Sequence, residues 1–531
     1  KNLKPEDPPV KPSSLEPPSE HLGALINLLK NKKFEEALVK SKALLADFPH
    51  SSNVQNLFGA VNSALGRYDI AIETYRKALG RYPKNALIYN NMANAFSRKG
   101  DIDSAVKCFE KALKIEPKNE GIFNNLGQLM TGQKKYEEAS GYFRKSLKIN
   151  PGNAHTYFCI GNLMADKGEF DKAIQYLEKS LGLNPNQAGA YNNLGVCMRG
   201  KGALKDAIAN YDKALALEPK NVGSHYNKAL LVLNLQDFEN GWPMYEYRWK
   251  KSKLDSTPLV TRRPEWRFGE QTRVLVWGEQ GLGDEVMFAS LIPDIYAACS
   301  KLIVKADKRL IPIFKRSFPI DIEYYPNEET VPEETYDTHI PMGSLPKYFR
   351  QNLHSFEPAS QGFLSADKAR TAAVRDKLLE DGSKTIIGLS WHSTSKIRVA
   401  PKRTIRLGQL ASAFQAEKVK FVSLQYGNVD ADIDQVKKEY GIDVVQVAEI
   451  DSFHDIDGLA ALMSACDRII SIDNVTVHLA GALGRGIDVL LPRVSNWRWG
   501  LDPNSSYWYR SVRLHRQSER EEWGEVLERF S

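Results

Sequence analysis

The chain has 531 residues, too many for a single hydrophobic core, and its 42% apolar and 26% charged residues are globular values. A net charge of +7 is too modest for a dedicated nucleic-acid binder but leaves room for an anionic small molecule. Five scattered cysteines (Cys108, Cys159, Cys197, Cys299, Cys466) form no CxxC or Cys/His cluster, against a zinc site or a disulfide framework. No apolar run reaches the ~18 residues of a membrane span and no secretory leader is visible, so the cytoplasm is the expected location.

Residues 1–17 are Pro-rich and polar, an extended lead-in without a core. An internal repeat follows. Ala recurs at 37, 71, 105, 139, 173 and 207, and Pro at 49, 83, 117, 151, 185 and 219, each step being 34 residues. Gly59, Gly127, Gly161 and Gly195 hold a third register, with Ala93 and Ala229 in the same slot. The small residues let two helices of a hairpin approach closely, and the Pro ends the second helix. This pattern resembles the tetratricopeptide repeat (TPR) family, with six full repeats over 18–221. A seventh begins at 222 and loses its motif near Gly241 and Trp242, within an array ending at about 255.

A stack of such repeats lines a groove with its first helices. Asn91, Asn125, Asn193 and Asn227 share one register, two residues before the small position, while Leu57 and Cys159 interrupt it. An asparagine ladder donates and accepts hydrogen bonds along an extended peptide backbone. TPR-bearing protein O-glycosyltransferases have such a ladder, and this one is similar; the plainer alternative is a solvated Asn-rich helix face.

The aromatic, Arg- and Pro-containing stretch 237–270 reads as packed core, with 256–270 as a junction to the next domain. From 271 the pattern changes to short β-branched runs alternating with amphipathic helices, which predicts parallel strands and crossover helices. The predicted strands are 272–278, 301–306, 384–391, 419–425, 443–447, 468–473 and 487–492. They form two halves, 271–365 and 383–512, joined by a bridge over 366–382. A charged helix over 513–531 closes the chain. Two doubly wound halves place a ligand cleft at their strand C-termini.

Three segments follow strands. In W-G-E-Q-G-L-G-D-E (277–285), Gly281 and Gly283 permit a tight turn and Asp284 begins a helix; the plain reading is a helix cap. In S-W-H-S-T-S-K-I-R-V-A-P-K-R (390–403), a basic cluster including Lys402 and Arg403 can clamp phosphates. In S-I-D-N-V-T-V-H-L-A-G-A-L-G (471–484), Asp473 is placed for a sugar or ribose hydroxyl. The N–H groups of Val475, Thr476, Val477 and His478 open a helix. The acidic run Asp430–Asp434 reads as the exposed start of a helix rather than a metal motif.

These three segments in this order, continued by L-L-P-R-V-S-N-W-R-W (490–499) and S-Y-W-Y-R-S-V-R-L-H-R-Q (506–517), resemble glycosyltransferase family 9 and its bacterial heptosyltransferases, in the subgroup where TPR repeats precede the transferase. The resemblance implies a GT-B fold of two facing Rossmann-like domains and an inverting enzyme that needs no metal or cofactor. Asp284 would be the general base, and Gly281, Gly283, Lys402, Arg403, Gln425, Asp473 and Asn474 to His478 would hold the donor. The donor would be a CMP-, UDP- or ADP-linked sugar and the acceptor a protein bound by the repeats. Bacterial relatives of this sort imply flagellin and a nonulosonic acid such as pseudaminic acid, and such arrays also support a homodimer. Two other readings stay open: a lipopolysaccharide transferase using ADP-heptose, and a scaffold whose transferase half is degenerate.

Overall fold

The computed structural model describes residues 16–251, 257–382, 385–393, 403–413, 419–518 and 522–529. The lead-in thus lies outside the described residues up to residue 15. The chain divides into two compact units, Lys1–Cys197 and Met198–Ser531.

The first unit is entirely helical among its described residues. Its helices are α1 (Ser19–Lys30), α2 (Phe34–Asp47), α3 (Ser52–Ala64), α4 (Tyr68–Arg81), α5 (Ala86–Lys99), α6 (Ile102–Ile115), α7 (Glu120–Gly132), α8 (Tyr136–Ile149), α9 (Ala154–Asp166), α10 (Phe170–Leu183) and most of α11 (Ala188–Gly200). They pair as hairpins, and the first helices of successive hairpins are neighbours. The sequence registers explain why. Ala37, Ala71, Ala105, Ala139 and Ala173 are fully buried. A Cβ added to Gly59 or Gly127 would come within 2.4 Å of the ring of Tyr75 or Phe143 on the facing helix. A further periodic feature caps the first helices. The side chains of Ser51, Asn85, Asn119 and Asn153 each accept a hydrogen bond from the backbone N–H three residues on.

The second unit begins with the remaining hairpin helices, α12 (Leu204–Leu217), α13 (Val222–Asn234) and α14 (Phe238–Tyr245). Two wholly parallel sheets follow. The first contains β1 (Arg273–Trp277), β2 (Lys301–Ala306), β3 (Glu323–Pro326) and β4 (Thr338–Pro341) in the order β3-β2-β1-β4. Its helices are α15 (Leu282–Phe288), α16 (Ile292–Ala297), α17 (Ile311–Ser317) and α18 (Pro346–Phe349). The second contains β5 (Thr385–Ser390), β6 (Val419–Ser423), β7 (Val444–Val445), β8 (Arg468–Ile472), β9 (Ile487–Leu491) and β10 (Val512–Arg516) in the order β10-β9-β8-β5-β6-β7. Its helices are α19 (Lys368–Leu379), α20 (Leu407–Ser412), α21 (Asp430–Tyr440), α22 (Ile456–Ala465) and α23 (Val475–Ala482), with α24 (Gly524–Leu527) near the end. A helical repeat array followed by an α/β part is the architecture expected from the sequence.

Two segments differ from the sequence reading. The charged helix expected over 513–531 is a strand, β10, followed by the single turn of α24. Val512 and Leu514 are buried while Arg513 between them is exposed, a period of two that suits a sheet edge. The bridge over 366–382 is largely α19, which packs on α22, and Arg375 on it pairs with Asp467 at 2.8 Å.

Candidate functional site

In the first sheet the chain winds from β1 through β2 to β3 and then returns to place β4 on the other side of β1; in the second it winds from β5 through β6 to β7 and then places β8 beside β5. Ligand crevices of doubly wound sheets open at the carboxyl ends of the strands at such reversals. Here those ends are the segments after β1, β5 and β8, the three singled out by sequence. They meet, since α15 and α23 are in contact. A Cβ on Gly283 would lie 3.2 Å from the His478 ring and 3.7 Å from Val475 Cα, so glycine lets the two helix starts approach.

Gly281 caps α15 in extended conformation, and Asp284 stands in the first turn. Its carboxylate forms an ion pair with Arg498, from the short helical turn Trp497–Trp499. Both side chains are largely buried, 18% and 12% exposed. Burial is the largest influence and would lower the Arg498 guanidinium, but Asp284, Tyr245 and Asp473 together outweigh it and hold Arg498 above its ordinary value. Arg498 Nε is buried without a partner among the described residues. His478 stacks on Trp499 and its Nδ1 lies 3.2 Å from the Tyr509 hydroxyl. Burial, followed by the charge of Arg498, pushes the imidazole down to about 4, so it is neutral at physiological pH.

In the second sheet, Arg403 pairs with Asp473, Nη1 to Oδ2 at 3.1 Å, and both are nearly buried. Lys402 lies outside the described residues. Asn474 caps α23: its Oδ1 accepts from Thr476 N at 3.0 Å, and Val477 N donates to the Asn474 carbonyl. Asn474 Nδ2 also donates to Ser390 Oγ at 2.8 Å, tying the end of β8 to the end of β5. Two of the N–H groups read from sequence as anion donors are therefore occupied from within the loop. Asn474 and Val475 are half-buried, whereas Thr476, Val477 and His478 are buried. Gln425 is buried after β6 and its Oε1 accepts from Ser390 Oγ, Trp391 N and His392 N, each at 3.0 Å. It is thus a strut for the turn after β5. The sequence reading missed Arg498; its only signal was an Arg between two tryptophans in N-W-R-W (496–499).

In the first unit the asparagines bond from repeat to repeat. Asn91 donates to Asn56 Oδ1 at 2.8 Å, Asn125 to Asn90 Oδ1 at 2.8 Å, and Asn193 to Asn162 Oδ1 at 2.6 Å. Where Cys159 interrupts the register, its Sγ lies 3.5 Å from His155 Nε2, and Gln128 approaches the same nitrogen. Burial pushes the Cys159 thiol up to about 12, so it is not a nucleophile. Asn227 sits on α13 in the second unit.

Residues 53–85, 86–119, 121–150 and 160–222 match models of the tetratricopeptide repeat, and the hairpins across 53–222 are such repeats. Protein FlbA of Caulobacter vibrioides is 30% identical over 307 residues, which cover 54% of this chain and 51% of that protein. The chain thus spans about half the length of the curated relative it matches. Similar solved structures include the APC/C hetero-tetramer Cut9–Hcn1, with 17% identity, 42% of this chain and 44% of that chain covered, and a TM-score of 0.37. Pseudomonas aeruginosa pilF has 22% identity, 38% and 89% coverage and a TM-score of 0.32. A tetratricopeptide repeat protein from Parabacteroides merdae has 16% identity, 44% and 93% coverage and a TM-score of 0.36. Among the described residues no helix is long and apolar enough to cross a membrane.

Proposed function

We propose that the chain is a protein O-glycosyltransferase, whose repeats bind an acceptor protein and whose α/β part transfers a sugar from a nucleotide-sugar donor to a Ser or Thr hydroxyl. The observation that supports this reading is the meeting of the Asp284 loop with the Asp473–His478 loop at the strand reversals of two parallel sheets. A hydroxyl is a poor nucleophile, and Asp284 takes its proton as it attacks the anomeric carbon. Attack opposite the leaving nucleotide inverts the configuration. The departing phosphate gains negative charge, which the start of α23 and the Arg403 guanidinium stabilise more than they stabilise the bound donor, a contribution of about 3 kcal/mol. Asp473 accepts a hydrogen bond from a donor hydroxyl. Because Arg403 rests on Asp473 and Arg498 rests on Asp284, both pairs must open for these roles. Donor phosphate competes for the first guanidinium, and the acceptor hydroxyl displaces the second.

Thermal stabilisation by CMP, UDP, ADP and GDP tests the reading, with Arg403→Ala as the comparison. A nucleotide at ~100 times its Kd adds about 2.7 kcal/mol, a rise in Tm of several degrees. Stabilisation of the wild type by one nucleotide, and not of the variant, is the expected result. Indifference to all four would overturn the enzyme reading and leave a protein-binding scaffold.

A further inference from the structure

The glycine-rich loop between β1 and α15 is not held by its own sheet alone. Glu279, at its start, is buried, and its carboxylate receives a two-pronged bond from Arg248, at 2.8 Å from Nε and 2.6 Å from Nη2. The backbone N–H of Gly343 donates to the same carboxylate at 2.9 Å, and a Cβ on Gly343 would come within 2.5 Å of it. Arg248 is itself buried and also reaches Ser344 Oγ at 2.7 Å. The next residue, Gln280, adopts φ +69°, a left-handed conformation unfavourable for a residue with a Cβ. Its amide lies 2.8 Å from the hydroxyl of Tyr245.

Arg248 and Tyr245 do not belong to either sheet. Tyr245 ends α14, the second helix of the last hairpin, and Arg248 lies in the short helical turn Glu246–Lys250 that continues it. The same helix reaches the other side of the site. The ring of Trp497 packs against Trp242 and Tyr245 at centroid distances of 5.5 and 5.7 Å, and Trp497 directly precedes Arg498, the partner of Asp284. The first helix of this hairpin carries Asn227, the last member of the asparagine register.

From these contacts we infer that the last helical hairpin is part of the reaction site: Tyr245 and Arg248 are positioning residues that set the 278–283 loop and, through it, the direction of Asp284. The inference rests on the transferase reading for the chemistry that Asp284 performs, but the clamp is a matter of geometry. The repeat carrying the final ladder asparagine then orders the catalytic loop, so the acceptor-binding and catalytic parts share one hairpin. The strained Gln280 backbone is the sign of this. Its conformation costs about 1 kcal/mol or more, and such strain persists only where the surroundings impose it.

Two variants of the full chain test it. Tyr245→Phe removes the hydroxyl and keeps the ring, and Gln280→Gly removes the amide while relieving the left-handed strain. Hydrogen exchange of the 278–284 amides should rise about tenfold in both, with Gln280→Gly at least as heat-stable as wild type. Hydrolysis of UDP-N-acetylglucosamine, CMP-N-acetylneuraminate and ADP-glucose serves as the chemical probe. For whichever donor the wild type cleaves, kcat should fall at least about tenfold with KM and nucleotide-induced stabilisation unchanged, a split that a general loss of fold would not produce. Unchanged exchange over 278–284 in both variants overturns the clamp. If the wild type cleaves none of the three donors, the transferase reading is what fails, and the exchange data still decide whether the hairpin sets the loop.

Discussion

The Asp284–Arg498 pair joins two largely buried charges, and a double-mutant cycle separates its part in stability from the part that the proposed transferase reading gives it in the chemistry. With side chains 18% and 12% exposed, neither charge is well hydrated, and Arg498 Nε has no other partner among the described residues. Removing one member of such a pair leaves the other buried and uncompensated, at a cost of about 3–5 kcal/mol. Asp284→Asn and Arg498→Met should therefore each lower the unfolding free energy by about that amount. The double variant buries no charge, so it should recover about 2 kcal/mol or more relative to the sum of the singles. Urea unfolding followed by tryptophan fluorescence is the assay. All 9 tryptophans lie between Trp242 and Trp523, so the signal comes from the second unit alone. Singles that add to within about 0.5 kcal/mol of the double would refute the argument, because independent sites behave that way. On the proposed transferase reading the two singles should also part company in activity: Asp284→Asn should abolish transfer, whereas Arg498→Met, which leaves the proposed base in place, should retain part of it.

Two glycines in adjacent helices should respond in opposite directions to the same change, read as Tm by circular dichroism. Gly127→Ala drives a Cβ against the Phe143 ring and should cost about 1–3 kcal/mol, while Gly141, with open space around it, should gain up to about 1 kcal/mol as Ala. Glu285 gives a pH signature. Burial raises its carboxyl from 4.5 to about 7, against the hydrogen bonds from Asp307 N and Asn327 that lower it. The folded state therefore holds this proton more tightly than the unfolded chain. Its stabilising effect is complete below pH 4.5 and is lost as pH rises to about 7, a change of about 3 kcal/mol at 1.36 kcal/mol per pH unit. Glu285→Gln should flatten that part of the stability profile, and a slope unchanged in the variant would assign it to other groups.

Periodic and local features were legible in the chain. The alanine register marks the buried seam of the first six hairpins because close helix packing leaves room there for nothing larger. The strand at 301–306 has the bounds read from its β-branched run. The Asn/Ser caps at 51, 85, 119 and 153 have the same period and were readable in the chain. Short strands such as β3 and β4, with four residues each and Pro at their ends, carry too little alternation to stand out. Pairings across the fold were not legible at all. Arg498 and Asp284 are 214 residues apart, and nothing local in N-W-R-W says that its Arg faces a carboxylate. Gln425, read as a donor ligand, spends its amide oxygen on three donors of the chain itself. Such roles depend on what a side chain meets after folding, and periodicity carries no record of it.

The contacts of α14 also say where this chain tolerates editing. Composition places a seam near residue 270, yet the guanidinium that pairs with the buried Glu279 carboxylate belongs to Arg248, on the other side of that seam. A fragment beginning at 271 would lack the Trp242 and Tyr245 rings that cover Trp497 and leave a carboxylate without its guanidinium. Repeats form a near one-dimensional stack in which each meets its neighbours, so copies can be gained or lost upstream of α12 without touching this arrangement. The hairpin of α13 and α14 has no such freedom: it continues the repeat pattern, and its contacts tie it to the sheet domain that follows.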